Sequence, residues 1–588
     1  MKQFFKMMFA STLGVFVALG LVIMIGTFVV IGMVASFGSQ PEYAPKSNTV
    51  FKLSLNGPLY DNAEENPWDM FMGSSVKALS VTDILKAIRV AKDNNNIQGI
   101  YLEAGSFYGG TASIDLIRRA LLDFKESGKF IVSYADSYGQ GAYYLCSVAD
   151  KMYLNPLGSV QMMGLSSTTT FWKGLYEKIG FEWMIFKVGT YKGAVERYML
   201  DKLSDENREQ ISSTQQVRWT NITSELAKAR GISVDQINRY VNEGMLFLPA
   251  QKFIDMGFID ELKYKPEAEE YVKELAGQTD DKLKVAGLDK MKNIRVKEKA
   301  KEDQIAILYA EGQIMPEQLS AVMGGEKLIT EKMANELIKL RKNDKVKAVV
   351  FRVNSPGGSA YISEQIWREV VELKKVKPIV VCMGDVAASG GYYIACAANK
   401  IVAEPNTITG SIGVFSTVPN VAGVYNKLGL KTDVVKTNTF SDLYDVERPM
   451  RGDEKALFQA GVEDMYDVFL TRCADGRGMT KEAIDQVGQG RVWTGQQALE
   501  RGLVDELGGI DEAVASAAQL ADLTDYSITQ VTGKKDIFKE LFEKQLEDMK
   551  ISIAKSVLGD DYKYFKALNQ TKYFTGVQAR LPFDVDPL

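Results

Sequence analysis

Gly384-Asp385-Val386-Ala387-Ala388-Ser389-Gly390-Gly391-Tyr392-Tyr393 decides the reading of this chain, because Ala135-Asp136-Ser137-Tyr138-Gly139-Gln140-Gly141-Ala142-Tyr143-Tyr144 stands in register with it 249 positions earlier. At the centre of the later copy is Ser389; at the centre of the earlier one is Gln140. Each copy follows an apolar, strand-like run, Pro378-Ile379-Val380-Val381 and Phe130-Ile131-Val132. Two further blocks keep the same order. Ile97–Leu102 matches Val346–Phe351, each leading to a glycine pair (Gly109-Gly110 and Gly357-Gly358), and Gly257–Leu262 matches Gly502–Leu507. Three blocks in constant order describe a duplicated scaffold. Strand patterns alternating with helical ones, such as Val81–Lys92 and Ile329–Lys342, predict an α/β fold with mainly parallel strands in each copy.

Working outward, the 588 residues divide into a tip and anchor at 1–46, repeats at 47–265 and 304–530, a charged linker at 266–303 and a helical extension at 531–588. The linker assignment rests on its richness in Lys, Glu and Asp. The extension rests on the helical spacing of Phe538, Leu541, Phe542, Leu546 and Met549. Lys2 and Lys6 precede an uncharged run whose apolar centre, Leu13 to Val34, extends about 33 Å as a helix, enough to cross a bilayer. A signal-peptide core is shorter, and no convincing small-residue cleavage site follows. The expectation is a retained transmembrane helix over about 9–37, with residues 1–8 cytoplasmic and the remainder outside.

With 46% hydrophobic and 25% charged residues, the chain has ample material for cores, and a formal net charge of −5 gives no electrostatic reason to expect nucleic acid as a partner. The four cysteines lack C-x-x-C spacing and read as small buried hydrophobes. The chain contains no histidine. Every Ser-His pair is thereby excluded, and so are most of the usual zinc sets, so no metal is expected and an activated serine needs another base.

Ser389 sits at a predicted strand-to-helix turn, where a serine ordinarily caps the helix. Its replacement by Gln140 in the sister copy, a poor cap, argues for a nucleophile instead. Gly390 and the turn Asn354-Ser355-Pro356-Gly357-Gly358 are candidate donors to an oxyanion, with Gly357 and Gly358 both open as the second donor. The base is sought by aligning Phe186–Val195 with Val435–Tyr444: Lys187 meets Lys436, but Lys192 meets Ser441. One repeat thus lacks the serine and the other lacks this lysine. A solvated loop lysine is the ordinary alternative for Lys192; as a base it must be buried and neutral.

These motifs, with Thr409-Gly410-Ser411-Ile412-Gly413-Val414 and Gly189-Thr190-Tyr191-Lys192-Gly193-Ala194, resemble the signal peptide peptidase A (protease IV) family in its double-length bacterial form. The resemblance implies tandem Clp-protease/crotonase-like domains and a membrane-anchored serine endopeptidase. It implies Ser389 as nucleophile, Lys192 as general base and Ser411 as the residue that orients the lysine. No cofactor is implied. The implied substrates are cleaved signal peptides and other extended apolar peptides. The implied setting is the bacterial inner membrane, as a homotetramer with its catalytic domains on the periplasmic side and the lipid bilayer as partner through the N-terminal helix. Two other readings are a crotonase-like acyl-CoA enzyme and a non-catalytic membrane scaffold on the same fold. The Ser/Lys split and the anchor argue against the first, and covalent labelling of Ser389 separates both from a peptidase.

Overall fold

The computed structural model describes residues 42–62, 78–294, 301–319, 327–531 and 576–580, with 6–8, 12–18, 20, 21 and 24 near the N-terminus. Two parallel sheets of the same strand order form the body. The first places Val285–Gly287, Thr49–Tyr60, Ile97–Tyr108, Phe130–Ala135, Lys151–Leu154 and Glu261–Leu262 side by side. The second repeats the order with Ser527–Val531, Gln304–Glu311, Val346–Ser355, Ile379–Ala388, Lys400–Ala403 and Glu506–Leu507. Ile408–Gly410 and Val492–Thr494 continue it beyond the end of Ile379–Ala388.

Strand periodicity explains the layers. Successive side chains point to opposite faces, so a strand covered on both sides reads as an unbroken apolar run. In the second repeat Val349, Phe351, Val381 and Met383 face the core that includes Ile362, Ile366 and Val370 of the helix Ala360–Lys374. Their neighbours Val350, Val380 and Cys382 face Ala513, Val514 and Ala517 of the helix Ile510–Leu520. The first repeat does the same, with Ile100, Leu102 and Ile131 on one face and Tyr101, Val132 and Tyr134 on the other. Each repeat is therefore a three-layer α/β/α unit, the arrangement expected from the family resemblance.

The stretch expected as a linker differs in character. Its helix Lys265–Leu275 buries Ala268 and Val272 against Tyr101, Val132 and Tyr134, as Ile510–Leu520 covers the second sheet, and Val285–Gly287 pairs with Thr49–Tyr60. Charge counting missed this because only one face of that helix is apolar. The expected helical extension lies mostly outside the described residues; its described part, Gly576–Arg580, is a strand. The expected transmembrane span also lies largely outside them, and among the described residues no helix is long and apolar enough to cross a membrane.

A third sheet joins the repeats, in the order Leu328–Ile329, Gln313–Ile314, Gly357–Ser359, Gly576–Arg580, Val414–Asn420 and Glu182–Val188. Glu182–Val188 belongs to the first repeat, yet it pairs antiparallel along the whole of Val414–Asn420. Buried polar contacts reinforce this junction. Arg352 Nη2 lies 2.7 Å from Asp61 Oδ1, the two side chains being 2% and 3% exposed. Asp385 accepts from the Ser113 amide (2.9 Å) and hydroxyl (2.5 Å), and Asn406 donates to Asp115 at 2.7 Å. Losing one partner of a buried ion pair typically costs about 3–5 kcal/mol, so these contacts hold the repeats in one relation.

Candidate active site

Ser389 follows the strand Ile379–Ala388 and stands at the N-cap of the helix Gly390–Ala395, but its side chain makes no cap hydrogen bond. Its φ of +56° is one that a residue with a β-carbon seldom adopts, at a cost on the order of 1–3 kcal/mol. The turn is fixed on both sides: the Ser389 amide donates to the Gly410 carbonyl and the Ser389 carbonyl accepts from Tyr393, each at 2.8 Å. The hydroxyl is thus held away from the helix amides that an N-cap serine serves.

It meets Lys192 instead. The strand Glu182–Val188 carries the chain into the second repeat, and four residues on, Lys192 Nζ lies 2.8 Å from Ser389 Oγ. Nζ is also 3.0 Å from Ser411 Oγ and 3.1 Å from the Ser411 carbonyl oxygen. Lys192, Ser389 and Ser411 are each 0% exposed. Burial pushes the Lys192 amine well below its ordinary range, since taking an ammonium out of water disfavours the charged form. A neutral amine has two N–H groups and one lone pair. Two oxygens of Ser411 and the Ser389 hydroxyl supply two acceptors and one donor, which matches that inventory.

Sequence reasoning did not find what aligns the lysine. Gln489-Gly490-Arg491 forms a strap across both loops. The Tyr191 amide donates to the Gln489 carbonyl (2.8 Å), the Gly490 amide to Ile412 (2.7 Å) and the Ser411 amide to Arg491 (2.7 Å). Gly490 has φ +77°, and a β-carbon there would lie 2.7 Å from Lys192 Cβ; one on Gly413 would lie 3.3 Å from Lys192 Cδ. The lysine stem runs between two glycines. Gln210 ties the strap down from outside, donating to the Tyr191 carbonyl (2.8 Å) and accepting from the Val492 amide (3.1 Å). The glycines of Gly488-Gln489-Gly490-Arg491 were the available signal.

The remaining predicted residues gather at the same place. A β-carbon on Gly390 would lie 3.1 Å from both Gly357 Cα and the Gly358 amide nitrogen, so the two glycine turns are in contact. The Gly357 amide donates to Ser355 Oγ at 3.2 Å. Lys436 and Ser441, the counterparts of Lys187 and Lys192, lie elsewhere: Lys436 Nζ is 3.0 Å from Asp442, and Ser441 Oγ accepts from the Asn438 amide at 3.2 Å. The four cysteines are all buried and unpaired.

What the architecture and the buried amine–hydroxyl pair define is a class, a serine peptidase on a Clp-protease-like scaffold. Comparison with known proteins agrees. The model of peptidase family S49 matches residues 123–279 and 371–524, together more than half of the chain, and that of Clp protease matches 298–409. The chain is 32% identical over 544 residues to the chloroplastic serine protease SPPA of Arabidopsis thaliana, covering 91% of this chain and 78% of that protein. It is 33% identical over 546 residues to protease 4 of Haemophilus influenzae, with 90% and 86% covered. With protease 4 of Salmonella typhi the identity is 35% over 458 residues, with 76% and 73% covered. The chain belongs to peptidase family S49.

Proposed function

We propose that this serine peptidase is a membrane-anchored endopeptidase with a Ser-Lys dyad, in which Ser389 is the nucleophile and Lys192 the general base. The carrying observation is the 2.8 Å separation of Lys192 Nζ and Ser389 Oγ across the two repeats. Neutral Lys192 takes the hydroxyl proton as Oγ attacks the scissile carbonyl carbon. Negative charge moves to the carbonyl oxygen, which the Gly390 amide and a second donor from the glycine turn stabilise. The bond from Gly357 to Ser355 favours Gly358 as that donor. The tetrahedral adduct collapses, the C–N bond breaks, and the Lys192 ammonium gives its proton to the leaving amine. Water, deprotonated by the same amine, then hydrolyses the ester on Ser389. Ser411 positions the amine throughout.

The substrates are extended, largely apolar peptides, released signal peptides among them, bound by strand pairing beside the site. The division into anchor 1–46, two repeats, a linking segment and an extension is kept as part of this reading, with 9–37 spanning the bacterial inner membrane and the repeats on the periplasmic side. Lys2 and Lys6 beside the uncharged run support that orientation. Self-association as a tetramer is carried over from the family resemblance. The test is peptide hydrolysis by wild type, Ser389→Ala and Lys192→Ala in detergent, with fluorophosphonate labelling of Ser389. Undiminished hydrolysis by Lys192→Ala refutes the dyad.

A further inference from the structure

The strand Gly576–Arg580 runs between the two edges that border the catalytic serine. On one side it pairs antiparallel with the glycine turn: Gly357 opposite Arg580, Gly358 opposite Ala579, Ser359 opposite Gln578. On the other it pairs antiparallel with the strand that follows Ser411, Phe415 opposite Gln578 and Ser416 opposite Val577. Both neighbours run the same way and leave a one-strand gap, which this segment fills. Ala579 is 0% exposed and packs in the core of the second repeat with Val577 against it.

The position of one carbonyl gives this pairing its meaning. A β-carbon built on Gly357 would lie 2.1 Å from the Ala579 carbonyl oxygen and 2.6 Å from the Gly390 amide nitrogen. The Ala579 carbonyl and the proposed oxyanion donor therefore crowd the same small volume. A peptide being cleaved by the proposed mechanism must place an extended strand in this gap, with its reacting carbonyl turned toward Gly390.

We propose that residues 577–580 occupy the peptide channel in the manner of a substrate, with Ala579 at the residue whose carbonyl is attacked, so that the C-terminal strand is a resident competitor and a template for specificity. This rests on the Ser-Lys reading of the site. The template assigns a small side chain to the position filled by Ala579, which is enclosed, and an apolar one to the position filled by Val577, two residues before it on the same face of the strand. Displacement by a peptide replaces one set of main-chain hydrogen bonds with an equivalent set, so the exchange turns on side-chain fit and concentration. A tethered competitor raises the apparent KM in inverse proportion to the fraction of time it leaves the channel free.

The decisive experiment uses the full chain with Gln578→Pro, which removes the amide at the residue paired from both sides. The substrates are fluorogenic tripeptides with Val at the first position and Ala, Leu or Phe at the third. The expected results are a KM roughly tenfold lower than wild type if the strand holds the channel nine-tenths of the time, a preference for Ala over Leu and Phe, and competitive inhibition of the variant by a synthetic Gly576–Leu588 peptide. A chain ending at residue 575 repeats the measurement should the proline variant not fold. An unchanged KM with a normal melting curve, or non-competitive inhibition by the peptide, overturns the proposal. Fluorophosphonate labelling of Ser389 keeps the two readings apart. Labelling present with KM unmoved sinks only the resident strand, whereas labelling absent in every form sinks the dyad itself.

Discussion

The turn at Gln140 and the turn at Ser389 are one piece of backbone design put to opposite uses. In the first repeat, Gln140 opens the helix Gln140–Cys146, after Gly139 at an ordinary φ of −66°. Its side-chain oxygen accepts from the Met163 and Gly164 amides, both at 3.0 Å, and its nitrogen donates to the Gly164 carbonyl at 3.1 Å. Those residues stand in register with Ile412 and Gly413. The glutamine therefore ties up locally the backbone whose counterpart, in the second repeat, flanks the lysine. At Ser389 the polar atom is left facing a group from another repeat, on a strained backbone. Strain and a hydroxyl turned to the lysine of the other repeat mark the copy proposed to react; a self-satisfied amide marks its sister.

The comparison is easiest to break at the dyad. Ser389→Ala and Lys192→Ala are each expected to lower kcat by roughly 10⁴- to 10⁶-fold, the range seen when a nucleophile or its base is removed. Gln140→Ser should gain no fluorophosphonate labelling, because the residue in register with Lys192 is Ser441. Labelling at residue 140 would show that the scaffold alone activates a serine. Next in size is the dependence on pH. Since burial holds the Lys192 amine below its ordinary range, kcat should rise with pH through that depressed value and stay level well below the ordinary lysine range; activity persisting into acid contradicts a lysine base.

Gly490→Ala pushes a methyl group onto Lys192 Cβ and should cost about a hundredfold in kcat, the scale of a 1 Å misplacement, while Ser389 remains present for labelling. Gln140→Ala should leave hydrolysis intact but lower stability by about 0.5–1.5 kcal/mol, read from denaturant melts, because two backbone amides exchange a protein acceptor for water. The smallest effect is on Lys192→Met. Between the depressed and ordinary pKa the unfolded chain binds one proton more than the folded chain, so stability rises with pH across that window. The methionine variant should therefore melt higher than wild type at neutral pH, with the gain fading as pH approaches the ordinary lysine range.

Much of this was readable from residues that act locally. The duplicated blocks exposed the repeats, and the serine and lysine missing from opposite copies pointed to the pair that the structure brings to 2.8 Å. What escaped notice depends on partners distant in sequence. Glu182–Val188 reads as an ordinary strand, and nothing in it names Val414–Asn420, more than two hundred residues away, as its neighbour. Gly576–Arg580 offers only Val577 and Ala579 as an apolar face, too short a pattern to separate from a loop. The helix Lys265–Leu275 was hidden by the charges on its outer face, although its place after the third repeated block matches that of Ile510–Leu520. The strap at 489–491 works through carbonyl and amide groups, which every residue carries.

The strand Glu182–Val188, lodged in a sheet of the other repeat, has a consequence for how this catalyst is counted. Where base and nucleophile travel on separate molecules, their meeting depends on dilution. Here the proposed pair shares one polypeptide, so its encounter is a first-order folding event, indifferent to how dilute the protein is. Two repeats are thereby committed to a single proposed reaction centre, and neither can be removed without dismantling it.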